Sequence, residues 1–296
     1  MRVARQLPLD ACNIRCRGLA SMVASSSGRS PGDDMATVAP RRAAGSGDDR
    51  FFVVSSLLMA GLILAAFSLQ FAMGRSTFDA PLLVHVHALA FMGWVAIYVG
   101  QTTLAASGNR SLHRQLGWLG TVWIAPMMVL GITATVMMVR RGHVPFFFLP
   151  AQFLVLNPVS VLTFAGLTWT AVAMRRRTGW HRRLHYCGMA NLLGPAFGRL
   201  LPMPLLSPWA FEATAVCVML FPLAGIIADR RRTGSVHPAW LWGAGVVLLS
   251  MLSVEALSYS PFGEALYQTV TNGTPGAAVD PYAFPSPPEG PLVTGR

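Results

Sequence analysis

Three short stretches set imidazole beside guanidinium. LHRQLG carries His113 and Arg114, and GWHRRLH carries His181, Arg182, Arg183 and His185. DRRRTGSVHPAWLWG carries Asp229, Arg231 and His237, with Pro238 next. A neutral imidazole ligates haem iron or another transition metal, and a guanidinium neutralises propionates or phosphates. The chemistry on offer is therefore the holding of a haem, with His113 and His185 as axial ligands and His181 as a substitute. Arg114, Arg182 and Arg183 would face the propionates. The competing reading is that the arginines anchor helix ends and the histidines accompany them. The spacing matches no compact metal motif. There is no glycine-rich phosphate loop and no Ser-His-Asp arrangement.

A second set of polar residues lies within apolar segments, where an ionisable group costs at least roughly 2.5 kcal/mol unless sheltered, paired or neutral. Counting from His87, Trp94, Tyr98 and Gln101 fall at +7, +11 and +14. At about 100° per residue they form one stripe within roughly 60°. Lipid cannot satisfy Gln101, so the stripe is expected to face the interior. It serves either interhelical hydrogen bonds or the lining of a cavity. His181, His185, Gly188, Pro195 and Arg199 share another face, suited to a flat cofactor or a close neighbouring helix. Arg199, Glu212 and Glu255 lie just inside three segment ends, at a depth similar to His87. A buried pair of Arg199 with Glu212 or Glu255 is expected, serving either as a structural salt bridge or as a proton-linked site.

The elements that position these residues are apolar helices. The 296-residue chain is 53% hydrophobic and 12% charged, with a mean hydropathy of +0.49. Soluble domains carry roughly 25% charged residues, so a soluble enzyme and a disordered chain are both excluded. Seven apolar segments can be drawn, at about 51–73, 81–106, 116–139, 146–174, 184–201, 209–228 and 239–259. The fold class expected is an all-α polytopic membrane bundle of seven transmembrane helices. The fifth segment is short and interrupted by Gly194, Pro195 and Gly198.

Every basic residue is Arg, and the net charge is +11. The arginines cluster between apolar runs, which is how a membrane protein anchors helix ends, not how a nucleic-acid-binding face looks. An N-inside, C-outside arrangement sets thirteen arginines inside and five outside. Positive charge inside favours that topology, with Arg140 and Arg141 running against it. An integral protein of the bacterial inner membrane is expected, with the bilayer as its first partner.

Three domains are read: a polar Arg/Ser/Gly-rich tail over 1–50, expected to be disordered, a membrane domain over 51–260, and a Pro/Gly-rich extended tail over 261–296. The N-terminal tail lacks a signal-peptide core. Asp33, Asp34, Asp48 and Asp49 argue against a mitochondrial presequence, and Met22 or Met35 would serve as well for a start. Cys12 and Cys16 are a lone C-x3-C pair, and Cys187 and Cys217 sit in apolar segments, so no disulfide framework is read.

In order, the motifs run His87, Gln101, Leu112-His113-Arg114 with Gly117, His181-Arg182-Arg183-Leu184, Gly194-Pro195, Gly198-Arg199, Asp229 and His237-Pro238 with Gly243. Over about 51–260 this resembles a broad group of uncharacterised bacterial multi-span membrane proteins. The resemblance implies the helical membrane fold and no activity. More distantly, the histidine-bearing helix ends resemble di-haem b-type membrane cytochromes. That likeness implies haem b at His113 with His181 or His185, electron transfer, and a quinone or membrane redox partner. A proton-linked transporter and a non-catalytic accessory or assembly protein are the alternatives.

Overall fold

The computed structural model describes residues 47–287, and within them every regular element is helical. The order is α1 (Gly47–Ala72), α2 (Leu82–Ala106), α3 (Arg110–Arg140), α4 (Pro150–Ala173) and α5 (Thr178–Asn191). There follow α6 (Gly194–Leu200), α7 (Met203–Leu206), α8 (Ala210–Thr233), α9 (Pro238–Ser258), α10 (Pro261–Thr271) and a 3-10 turn, Pro275–Ala278. Six helices, α1, α2, α3, α4, α8 and α9, are long and apolar enough to cross a membrane. Their outer faces expose Leu57, Leu64, Val122, Val129, Leu249 and Leu252. Such a surface would aggregate in water and is what a bilayer requires. The chain is an integral membrane protein.

The ends of these helices follow from local chemistry. The Asn109 side chain accepts from the Leu112 amide at 3.2 Å, starting α3. His237 Nδ1 accepts from the Ala239 amide at 3.1 Å, and Pro238 occupies the first turn of α9, where its missing N–H costs nothing. Asp48 and Asp49 stand in the first turn of α1, where the helix dipole favours carboxylates. The helix therefore starts before residue 51, and these two acids belong to the membrane domain rather than to a tail.

The segment expected at 184–201 is the instructive departure. It starts earlier and divides into α5 and α6. Leu192 and Leu193 bond back three residues, to Met189 and Ala190, which tightens the turn. Pro195 brings no N–H to continue the ladder. α5 packs against α4, α8 and α9, and Arg183, Leu184, Tyr186, Cys187, Gly188, Met189, Ala190 and Asn191 are all buried. A helix screened from lipid need be neither long nor uniformly apolar, and so it escapes a hydropathy criterion. Arg182 at the start of α5 ion-pairs with Asp48 in the first turn of α1. At the end of α6, the Arg199 carbonyl accepts from Gln70 in the last turn of α1 at 2.9 Å. The α5–α6 pair thus runs alongside α1 for about 33 Å, at 1.5 Å per residue.

The second departure is the region after Pro261, expected to be extended. α10 and the 3-10 turn pack over the ends of α3, α4 and α9. The Tyr267 hydroxyl donates to the Gly276 carbonyl at 3.0 Å, and the Ala151 amide donates to the Pro281 carbonyl at 3.1 Å. A Cβ at Gly276 would collide with the Val139 carbonyl, so only glycine permits this approach. Pro261 read as a helix breaker, yet it sits in the first turn of α10 behind the Ser260 cap, where proline is favoured. The first 46 residues, with Cys12 and Cys16, and residues 288–296 lie outside the described part.

Candidate functional site

Three of the imidazoles read beside guanidiniums meet at the arginine-rich end of the bundle. His113 belongs to the first turns of α3; His181 and His185 stand one turn apart on α5. The rings of His113 and His181 lie 6.3 Å apart, centre to centre, with planes at 83°. Those of His181 and His185 lie 4.7 Å apart at 88°. His113 Nδ1 is 3.2 Å from the Gln101 carbonyl, and His181 Nδ1 is 2.7 Å from the Ala171 carbonyl. A carbonyl only accepts, so both Nδ1 atoms carry the hydrogen, and in the neutral ring it is Nε2 that has the lone pair. Gln101 Nε2 in turn donates to the His113 carbonyl at 2.9 Å. This reciprocal pair ties α2 to α3 and fixes where His113 sits.

Above the imidazoles lies a column of polar atoms with no partner within the protein. They are Gln101 Oε1, the Tyr98 hydroxyl, Thr168 Oγ1 and Trp94 Nε1, all buried. Tyr98 is 4% exposed, Trp94 3% and Thr168 1%. Glycines stand against three of them: a Cβ at Gly117 would lie 3.3 Å from Gln101, at Gly120 3.5 Å from Trp94, and at Gly188 3.1 Å from Thr168. In an apolar interior each unpartnered group costs roughly 1–3 kcal/mol. A bound molecule with hydrogen-bonding edges would offset that cost.

The arginines beside the cluster divide by role. Arg183 donates to both oxygens of Asp229, at 2.9 Å each, and the pair is buried. Arg232 reaches Asp229 at 3.2 Å and Asp48 at 2.9 Å. Arg182 pairs with Asp48 and, at 3.3 Å, with Asp49. Arg182 and Arg183 also lie over Phe52, and Arg232 over Phe51. Arg182 and Arg183, expected to face propionates, instead join α1, α5 and α8 through the protein's own carboxylates. Arg114 is exposed beside His113. His237 caps α9 and stands edge-on to Trp180, with ring centres 5.7 Å apart. Burial, then the Arg183 charge, holds its imidazole below the usual range, which keeps its Nδ1 lone pair on the Ala239 amide.

The far end of the bundle does not assemble as one zone. Arg199 lies 4.3 Å over the Phe67 ring and donates to the Pro195 carbonyl at 2.9 Å. Among the described residues it pairs with neither Glu212 nor Glu255, so the expected salt bridge does not form. α6 carries Arg199 to α1, while Glu255 accepts from Gln152 of α4 at 2.6 Å and stands near Glu212 of α8. Glu212 Oε2 is buried without a partner. His87 stacks on Phe91, ring centres 4.4 Å apart, and its Nδ1 is buried without a partner. Thr168 and Gln152 escaped sequence reasoning. The only signal was a polar side chain within the fourth apolar segment.

No family model, no curated protein and no solved structure matches the chain. The site is therefore read from its own geometry. Among the described residues no three His, Cys, Asp or Glu side chains form a metal cage. Two pinned imidazoles suit instead a metal that brings its own equatorial ligands, as haem iron does. The two imidazoles could ligate such a group, and the expected arginine pair does not hold its propionates.

Proposed function

We propose that this chain is a b-haem-binding redox protein of the bacterial plasma membrane, with His113 and His181 as the axial pair. The carrying observation is the pinned pair itself, with both Nδ1 atoms held by carbonyls and ring centres 6.3 Å apart. Ligating histidines ordinarily donate the other ring N–H to such an acceptor. His113 and His181 would hold the haem iron through their Nε2 atoms. His185, 4.7 Å from His181, is too close to be the trans partner of that ring. It takes a supporting place, and His181 replaces it in the axial pair. Arg114, exposed at the cluster's edge, is the residue for a propionate. When bound, the haem supplies one-electron transfer, with a quinone or a membrane partner as the exchanging species.

The topology belongs to the same proposal. α5–α6 runs alongside α1 over a distance that matches the roughly 30 Å hydrocarbon core. That supports a seventh crossing in addition to the six long helices. With seven crossings and the arginine-rich end inside, the N-terminus is inside and the C-terminus outside.

The test is the haem content of variants made with ample haem. His113→Ala and His181→Ala are expected to lose more than nine-tenths of it, and His185→Ala to keep most. Retention of haem by folded His113→Ala overturns the pair. A proton-linked transporter is the second reading, favoured by the Glu212–Glu255 pair with Gln152 at the far end. It requires substrate uptake driven by a pH gradient and abolished in Glu255→Gln.

A further inference from the structure

A groove on the described surface lies between α1 and α8 at the arginine-rich end. Its volume is about 730 Å³. Phe51 and Val54 of α1 form one wall, and Ile227 and Ala228 of α8 form the other. Arg50 and Arg231 stand at its mouth and are exposed. The two helices flank α5–α6 without packing side by side. They are tied at this end by Arg232, which donates to the Gly47 carbonyl at 2.8 Å and pairs with Asp48 and Asp229. Arg232 is thus committed within the protein, whereas no carboxylate among the described residues pairs with Arg50 or Arg231. Along each wall the lining spans about two helical turns, roughly 12 Å from the mouth into the membrane.

We infer that this groove is a binding site for an anionic phospholipid. Its phosphate would sit between Arg50 and Arg231, and the upper part of one acyl chain would lie along Phe51, Val54, Ile227 and Ala228. Three features favour a lipid over a free anion. The walls are apolar, they face the bilayer, and the two unpaired cations stand only where a headgroup would be. Basic pockets between membrane helices select anionic headgroups in this way. The inference does not depend on whether the imidazole cluster holds haem.

The experiment titrates the full-length chain, in mild detergent, with dioleoylphosphatidylglycerol or dioleoylphosphatidylcholine and counts adducts by native mass spectrometry. Phosphatidylglycerol is expected to bind more tightly. Each arginine near an anionic group is worth about fivefold. The double variant Arg50→Gln, Arg231→Gln should therefore weaken phosphatidylglycerol about 25-fold and leave phosphatidylcholine unchanged. Both side chains are exposed and unpaired, so the variant is expected to fold. Arg110→Gln, at the same end but outside the groove, should change nothing. Equal binding of the two lipids overturns the inference, as does phosphatidylglycerol binding unaltered in the double variant or equally weakened in Arg110→Gln. Displacement by millimolar inorganic phosphate would make it a free-anion site and overturn the lipid assignment.

Discussion

The two ends of the bundle carry the same residue types and use them differently. At the arginine-rich end, Arg182, Arg183 and Arg232 meet Asp48, Asp49 and Asp229, so these three cations are compensated and three helices are joined. Beside them, His113 and His181 are held through Nδ1 by backbone carbonyls, so their Nε2 atoms are the ones left for a ligand. At the far end, Arg199 rests on an aromatic ring, while Glu212 and Glu255 stand near each other and, among the described residues, pair with no cation. Composition alone does not make a site. What separates the ends is whether fixed partners hold each group in one orientation.

The largest effect should come from breaking the compensated end. Asp229→Ala leaves Arg183 buried without its bidentate partner, and losing one member of a buried pair costs about 3–5 kcal/mol. Thermal unfolding in detergent should show a marked loss for Asp229→Ala and a much smaller change for Glu255→Gln. Equal losses at both ends would break the comparison. Next in size is the far-end cover: Tyr267→Phe removes the hydroxyl bond to Gly276 and should cost about 1 kcal/mol in the same assay.

The smallest effect expected is a pH dependence at His237. Its folded-state affinity for a proton lies below the ordinary imidazole range, through burial and the Arg183 charge. The unfolded chain then binds more protons, so stability is full above that ordinary range and falls as pH drops below it. His237→Asn removes the titrating ring, so the stability of this variant should fall less steeply between about pH 7 and 5. An unchanged slope would remove His237 from the account.

Much of the membrane helix pattern was legible, because hydropathy runs of about 20 residues report lipid contact directly. α5–α6 was harder to read, since a helix enclosed by others is relieved of that constraint. α10 was hidden because the Pro- and Gly-rich stretch after Pro261 read as extended, whereas Pro261 starts a helix and Gly263 allows a close approach. At the site, the histidines were visible by type and spacing. Which ring would be which partner was not, since the carbonyls of Gln101 and Ala171 come from other helices and have no side-chain signature. The pairing of Arg183 with Asp229 was likewise invisible, because sequence gives the charges and not their facing sides. The departure of Arg199 from Glu212 and Glu255 has the same origin: the break before α6 turns Arg199 toward α1.

The most direct test of the central claim is an absorbance spectrum of the purified chain, expressed with ample haem, before and after dithionite. The pinned His113–His181 pair predicts a Soret band and sharp α and β bands on reduction, the signature of a six-coordinate b-type haem. A featureless spectrum from folded protein would contradict it.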